Sequence, residues 1–281
     1  MWNAVLDGVI DSVRLLPFLF ITYLIMEYIE NRMHDSTETF MRKAGRLGPL
    51  IGGALGVIPQ CGFSAVASSL FSGRVITLGT LMTVFLVTSD EMLPVMISNA
   101  APIGTILSIL LIKFVFGTAV GFIIDLLYRK NPKQHAIHEF CESENCNCED
   151  SIPVAAVKHT LNIFLFILVI TIGLNVLIYF IGFDTLSNAF VNMPFVGEII
   201  AGAIGLIPNC SASILITQLY LDGIIGAGSL MSGITVSAGM GLLVLFRTNR
   251  QHPKENLFIL MLLYLLGVGF GIVVGLTGIT L

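Results

Sequence analysis

The chain has 281 residues, of which 55% are hydrophobic and 11% charged, and its formal net charge is −4; the mean hydropathy is +0.91. A soluble globular domain carries about 25% charged residues, so that class is excluded. A nucleic-acid binder is excluded as well, because the basic residues fall between apolar runs and form no patch. What remains is an integral membrane protein with the lipid bilayer as its first partner.

The first apolar run, residues 9–29, is long enough to span and has no small-residue cleavage site behind it, so it is expected to stay in place. A polar stretch over 31–46 follows, with Arg32, Arg42, Lys43 and Arg46. The second apolar run, 47–71, is broken at Pro59. The third, 75–98, is read as one span and carries Asp90 and Glu91; the fourth, to 128, contains Lys113. Residues 129–158 are polar. The second half repeats the order: a span at 159–181, a neutral loop, a run at 197–221 broken at Pro208, a span at 224–246, a basic loop and a last span from 257.

The two broken runs share the pattern P-x-C-x-x-S, in Pro59-Gln60-Cys61-Gly62-Phe63-Ser64 and Pro208-Asn209-Cys210-Ser211-Ala212-Ser213. Without a gap, the same offset of 149 positions aligns Gly53 with Gly202, Gly56 with Gly205, Gly79 with Gly228 and Met82 with Met231. Composition alone does not place Pro, Cys and Ser in register, so this is an internal repeat. The expected domains are a first transmembrane repeat at 1–130, a His- and Cys-rich acidic linker at 131–157 and a second repeat at 158–281.

Lysine and arginine concentrate in short cytoplasmic loops, and this decides whether the broken runs cross or turn back. If both cross, with the N-terminus outside, the basic residues outside the spans divide seven inside to five outside. If both turn back, all twelve, including Arg74, Arg129, Lys158, Arg247 and Arg250, fall inside. Residues 47–58 would make about 18 Å of helix, a little over half of a hydrocarbon core of about 30 Å, so each hairpin tip stops near the midplane. The expected fold is all-α and integral to the cytoplasmic membrane: an inverted-repeat transporter with six full spans, two Pro-broken re-entrant hairpins and ten apolar helical segments. Both termini are expected outside and the linker in the cytoplasm. Broken helices meeting at the midplane are what secondary transporters use for alternating access.

The paired I-P-x-C motifs, the inverted halves and the Cys-rich middle resemble the ten-span heavy-metal exporter family, whose members carry the labels arsenic efflux protein or manganese transporter. The resemblance covers nearly the whole chain and implies export of a metal or metalloid.

At each tip the Pro ends one half-helix, and Cys and Ser open the next, where unpaired N–H groups favour negative charge. Cys61 and Cys210 are therefore expected as thiolates, either metal ligands or nucleophiles toward a thiophilic metalloid. Gln60, Asn209, Ser64, Ser211 and Ser213 add uncharged ligands, with Pro59 and Pro208 shaping the tips. The competing reading is that Cys and Ser are small residues that let the tips pack closely.

Asp90 and Glu91 are adjacent carboxylates within a span, and such groups mark ion or proton pathways. They suit a hard cation such as Mn²⁺ or a coupling proton. An ion pair with Lys113 would occupy one of them, and Thr88, Ser89, Thr235 and Ser237 extend the polar lining. In the linker, His135, His138, Cys141, Cys146 and Cys148 offer a second, softer metal set. A disordered acidic linker is the competing reading.

The sequence thus predicts a secondary-active transporter, not an enzyme: no nucleotide-binding motif appears, and no His lies within a span near the tips to serve a Cys nucleophile. Its substrate is a small inorganic ion, its coupling ion a proton or sodium, and no cofactor is expected. The alternative is an oxyanion transporter, for phosphate or arsenate, binding at the half-helix N-termini. The Gly-rich last span contains G-x-x-x-G spacings at Gly267, Gly271 and Gly275, suited to close packing within one chain or in a homo-oligomer.

Overall fold

The computed structural model describes residues 37–58, 61–89, 92–128, 196–208 and 210–277, with scattered helical positions at 13–24 and 157–172. Ten helices are described in full: α1 (Thr37–Gly56), α2 (Cys61–Ser72), α3 (Leu78–Val87), α4 (Met92–Ser98), α5 (Ile103–Leu127), α6 (Val196–Gly205), α7 (Cys210–Leu221), α8 (Ala227–Val236), α9 (Gly241–Thr248) and α10 (Pro253–Thr277). Among the described residues four segments are long and apolar enough to cross a membrane: Leu78–Ser98, Ile103–Leu127, Ala227–Thr248 and Pro253–Thr277. The protein is a multi-pass, helical membrane protein.

Glycine sets the distances between the helices. On α5, Gly117 and Gly121 face α3, where an added Cβ would strike Val87 and Thr83; on α10, Gly267 and Gly271 face α8, where it would strike Val236 and Ser232. Without side chains at these points the backbones approach closely. Thr83 Oγ1 uses the closeness, lying 2.9 Å from Gly79 O of its own helix and 3.1 Å from Gly117 O of α5. The G-x-x-x-G spacing of the last span is therefore spent inside the chain. Gly269, on another face of α10, has nothing within 4 Å among the described residues.

Helix α1 starts at Thr37, ahead of the apolar run expected from residue 47, so helix extends back through the basic stretch with Pro49 inside it. From there α1 descends alongside α3: Gly48 lies beside Thr80 and Gly56 beside Val84 and Val87, near the end of α3. Helix α2 then runs along α9, from Ser64 beside Gly241 to Ser72, whose Oγ is 2.6 Å from Thr248 Oγ1. After α2, Arg74 donates to both carboxylate oxygens of Glu255 at the start of α10, at 2.8 Å each. Thr77 Oγ1 donates to Asp125 Oδ2 at 2.8 Å near the end of α5. The middle of α1, where Pro49 packs on Gly121, and the loop after α2 thus both lie by the last turns of α5. The second half shows the same local pattern, with Gly197 beside Ser229 at the start of α8 and Gly205 beside Gly233 farther along it.

One expectation changes in detail. The third apolar run and its counterpart in the second half were read as continuous spans, but each is two helices. The first is interrupted after α3 at Thr88 and Ser89, and the second between α8 and α9 at Ser237 to Met240, where Gly239 takes a φ of +55°. Neither interruption contains a proline in its described part, so the strongest helix-breaking signal is missing there.

Candidate functional site

The interruptions come together with α2 and α7, the helices that follow Pro59 and Pro208. Ser64, fully buried in the first turn of α2, packs against Gly241 at the start of α9: a Cβ on Gly241 would lie 2.8 Å from Ser64 Cβ and 2.9 Å from its carbonyl carbon. Ser68, one turn on, lies 2.9 Å from Ser64 O and 2.7 Å from Gly241 O, so its single proton is shared between its own helix and the opposite half. Ser64, Ser68 and Ser72 recur every four residues, which puts them on one face of α2, and all three are buried. That stripe went unremarked in the sequence reading, although its spacing in an otherwise apolar helix is legible. In the second half, Ser213 is buried, Thr217 Oγ1 donates to Ser213 O at 2.7 Å, and α7 packs on α4, with Ala212, Leu215, Ile216, Met92 and Met96 in one buried apolar cluster.

Between the two interruptions sits Lys113. It lies on α5 with no exposed surface, and its Nζ donates to Thr88 O at 2.5 Å, Ser89 Oγ at 2.8 Å and Ile234 O at 2.8 Å. Ile234 belongs to the last turn of α8 and Thr88 caps α3. Both carbonyls come from helix C-terminal ends, which lack intrahelical donors and carry partial negative charge. A lysine there supplies what both ends lack. Among the described residues the buried hydroxyls of Thr88 and of Thr235, next in sequence to Ile234, have no hydrogen-bond partner, and Ser89 and Ser237 are buried too.

The structure therefore brings Ser64, Thr88, Ser89, Lys113, Thr235 and Ser237 to the neighbourhood of the interruptions. Pro208 is described at the end of the turn after α6. Pro59, Gln60, Asn209, Asp90, Glu91 and the linker residues His135, His138, Cys141, Cys146 and Cys148 lie outside the described residues, as do the side chains of Cys61, Cys210 and Ser211. The carboxylate expected to pair with Lys113 lies there as well. Among the described residues no cluster of three His, Cys, Asp or Glu side chains is arranged to hold a metal. The residues missed by sequence reasoning are Ser68, Ser72 and Thr217, and the carbonyl of Ile234, a backbone group that no side-chain pattern announces.

Over residues 4–194 the sequence matches a family described as "Putative, 10TM heavy-metal exporter". The chain belongs to this family. The family description makes it a membrane transporter, in keeping with the apolar helices. The matched stretch of the exporter family contains α1 to α5 and the first P-x-C-x-x-S tip but stops before Cys210, so the second tip is joined to the first by the internal repeat. No curated protein and no solved structure gives a match.

Proposed function

We propose that this exporter-family member is a secondary-active transporter that exports a metal or metalloid, of the manganese or arsenite class, by alternating access around two opposed P-x-C-x-x-S tips. The observation that carries the reading is the seat of Ser64 on Gly241, with Ser68 shared between them, which sets the first turn after one tip against the interruption of the other half. Non-helical backbone within a bilayer is tolerated where it is buried in protein or lines a cavity, and interrupted helices are where transporters bind ions. Cys61 and Cys210 open α2 and α7, at helix N-termini that favour thiolates, and serve as ligands to the exported ion. Thr88 and Thr235, buried hydroxyls without partners, line its path, and Asp90 or Glu91 serves as ligand or coupling group.

In this reading α1 with α2, and α6 with α7, are re-entrant hairpins that enter from opposite sides, making the halves 1–130 and 158–281 inverted repeats. The approach of Pro49, near the start of the apolar run 47–71, and of Thr77, after its end, to the last turns of α5 supports it. The linker is cytoplasmic and the termini are outside. The second reading is an oxyanion transporter for phosphate or arsenate, for which the N-termini of α2 and α7 supply a field that favours an anion.

Uptake of Mn²⁺, arsenite, arsenate and phosphate into proteoliposomes separates the two, for the parent and for the Cys61→Ser, Cys210→Ser double variant. Transport of Mn²⁺ or arsenite that falls at least about tenfold in the variant, equivalent to about 1.4 kcal/mol, is the expected result. Arsenate or phosphate transport that survives the substitution assigns binding to the helix ends and removes the metal reading.

A further inference from the structure

We propose that Lys113 is a built-in cation: its ammonium fills, with the chain's own charge, a monovalent-cation site made by the carbonyls of Thr88 and Ile234 and the hydroxyl of Ser89, and replaces a free Na⁺ or K⁺ there. The three oxygens lie 2.5, 2.8 and 2.8 Å from Nζ. They are neutral, and two are carbonyls released where helices end. That is the donor set with which interrupted helices coordinate alkali cations in secondary transporters. An ammonium is a monovalent cation that donates N–H to oxygen acceptors, and these three oxygens accept from it. Each helix C-terminus also contributes a partial negative charge, so a monovalent cation between α3 and α8 meets a field of the right sign.

Packing does not explain the lysine. Helix α10 repeats the burial pattern of α5 one position beyond the offset of the preceding helices, with Gly117 matched by Gly267 and Gly121 by Gly271. Lys113 is then matched by Leu263, which is equally buried. The frame accepts a leucine at that place in one half and a charge in the other. A buried ammonium in a bilayer is costly unless it is held, and here it holds α3, α5 and α8 together. The consequence reaches beyond the choice of substrate: the cycle takes up no sodium or potassium ion at the junction of the two interrupted spans.

The test uses the full-length protein purified in detergent and reads thermal unfolding, so it needs no knowledge of the exported ion and is independent of the transport assay. The parent, Lys113→Ala and Lys113→Met are compared in NaCl, KCl and choline chloride at equal ionic strength. The parent should unfold at the same temperature in all three salts. Lys113→Ala vacates the place of the ammonium; its midpoint should fall by several degrees in choline and recover most of that loss, saturably, in Na⁺ or K⁺. Lys113→Met fills the volume without charge and should fall without recovering. A Lys113→Ala midpoint no more responsive to salt than the parent's overturns the proposal, as does a Lys113→Met variant as stable as the parent. If Lys113→Ala does not fold, the parent and Lys113→Met decide: a saturable rise of the parent specific to Na⁺ or K⁺ means a free cation binds after all.

Discussion

Gly121 and Gly269 sit on helices of equal length, yet their surroundings are opposite. A Cβ on Gly121 would strike the Thr83 hydroxyl and lie 2.7 Å from Gly79 O, a backbone atom that cannot step aside, whereas Gly269 has no neighbour within 4 Å among the described residues. Gly121→Ala should therefore destabilise by about 1–3 kcal/mol, the usual cost of overpacking. Gly269→Ala should be neutral or stabilise by up to about 1 kcal/mol through helix propensity. Thermal unfolding of the two variants side by side checks both signs. The sequence could mark the G-x-x-x-G spacing because spacing defines a helix face, but which neighbour that face meets is a tertiary fact. The same limit applies to Lys113. Its presence inside an apolar run was legible, and its depth beside residues 88–91 could be counted along the chain, but Ile234 O as a partner depends on where the other half puts the end of α8.

At the scale of elements, the loop after α2 is tied to the start of α10 by a two-pronged ion pair. Arg74 and Glu255 are 27% and 33% exposed, and Asn249 Nδ2 donates to the same carboxylate at 3.0 Å. A double-mutant cycle with Arg74→Gln and Glu255→Gln should give a coupling near 1 kcal/mol, the upper part of the range for partly exposed pairs. Arg74→Lys should lose most of it, because the fork is lost while the charge remains. Arg74→Gly would be a poor probe. Arg74 has a φ of +56°, and glycine relieves that strain while it breaks the pair. Element by element, Pro59 and Pro208 made the hairpin runs readable. The interruptions at Thr88-Ser89 and Ser237 to Met240 were not, since a hydropathy window averages over a few polar residues inside a long apolar run and no described residue there forbids helix. The polar residues had been noted as lining; what the pattern could not say is that the backbone unwinds around them.

The whole molecule has two ends that chemistry can tell apart. Tyr128, after α5, lies 5.7 Å ring to ring from Phe258 in α10, while Asn99, after α4, approaches Gln218 of α7 at 3.5 Å. With the five native cysteines replaced, Tyr128→Cys and Gln251→Cys should react with an impermeant thiol reagent from the cytoplasmic side, and Asn99→Cys and Asp222→Cys from the other. Labelling of Asn99→Cys and Tyr128→Cys from one side would end the topology argued from the basic residues.

Helices α5 and α10 contain 25 residues each, about 37 Å at 1.5 Å per residue, and residues such as Leu107, Leu111, Leu265 and Val273 are exposed along them. That is longer than a hydrocarbon layer of about 30 Å, and a lean of the pair or a local stretch of the lipid would bring more of it under cover. Because glycines bind α5 to α3 and α10 to α8 at nearly backbone contact, a lean is passed straight to the interrupted spans, and the acyl-chain length of the surrounding lipid becomes one of the variables that set how the two halves stand against each other.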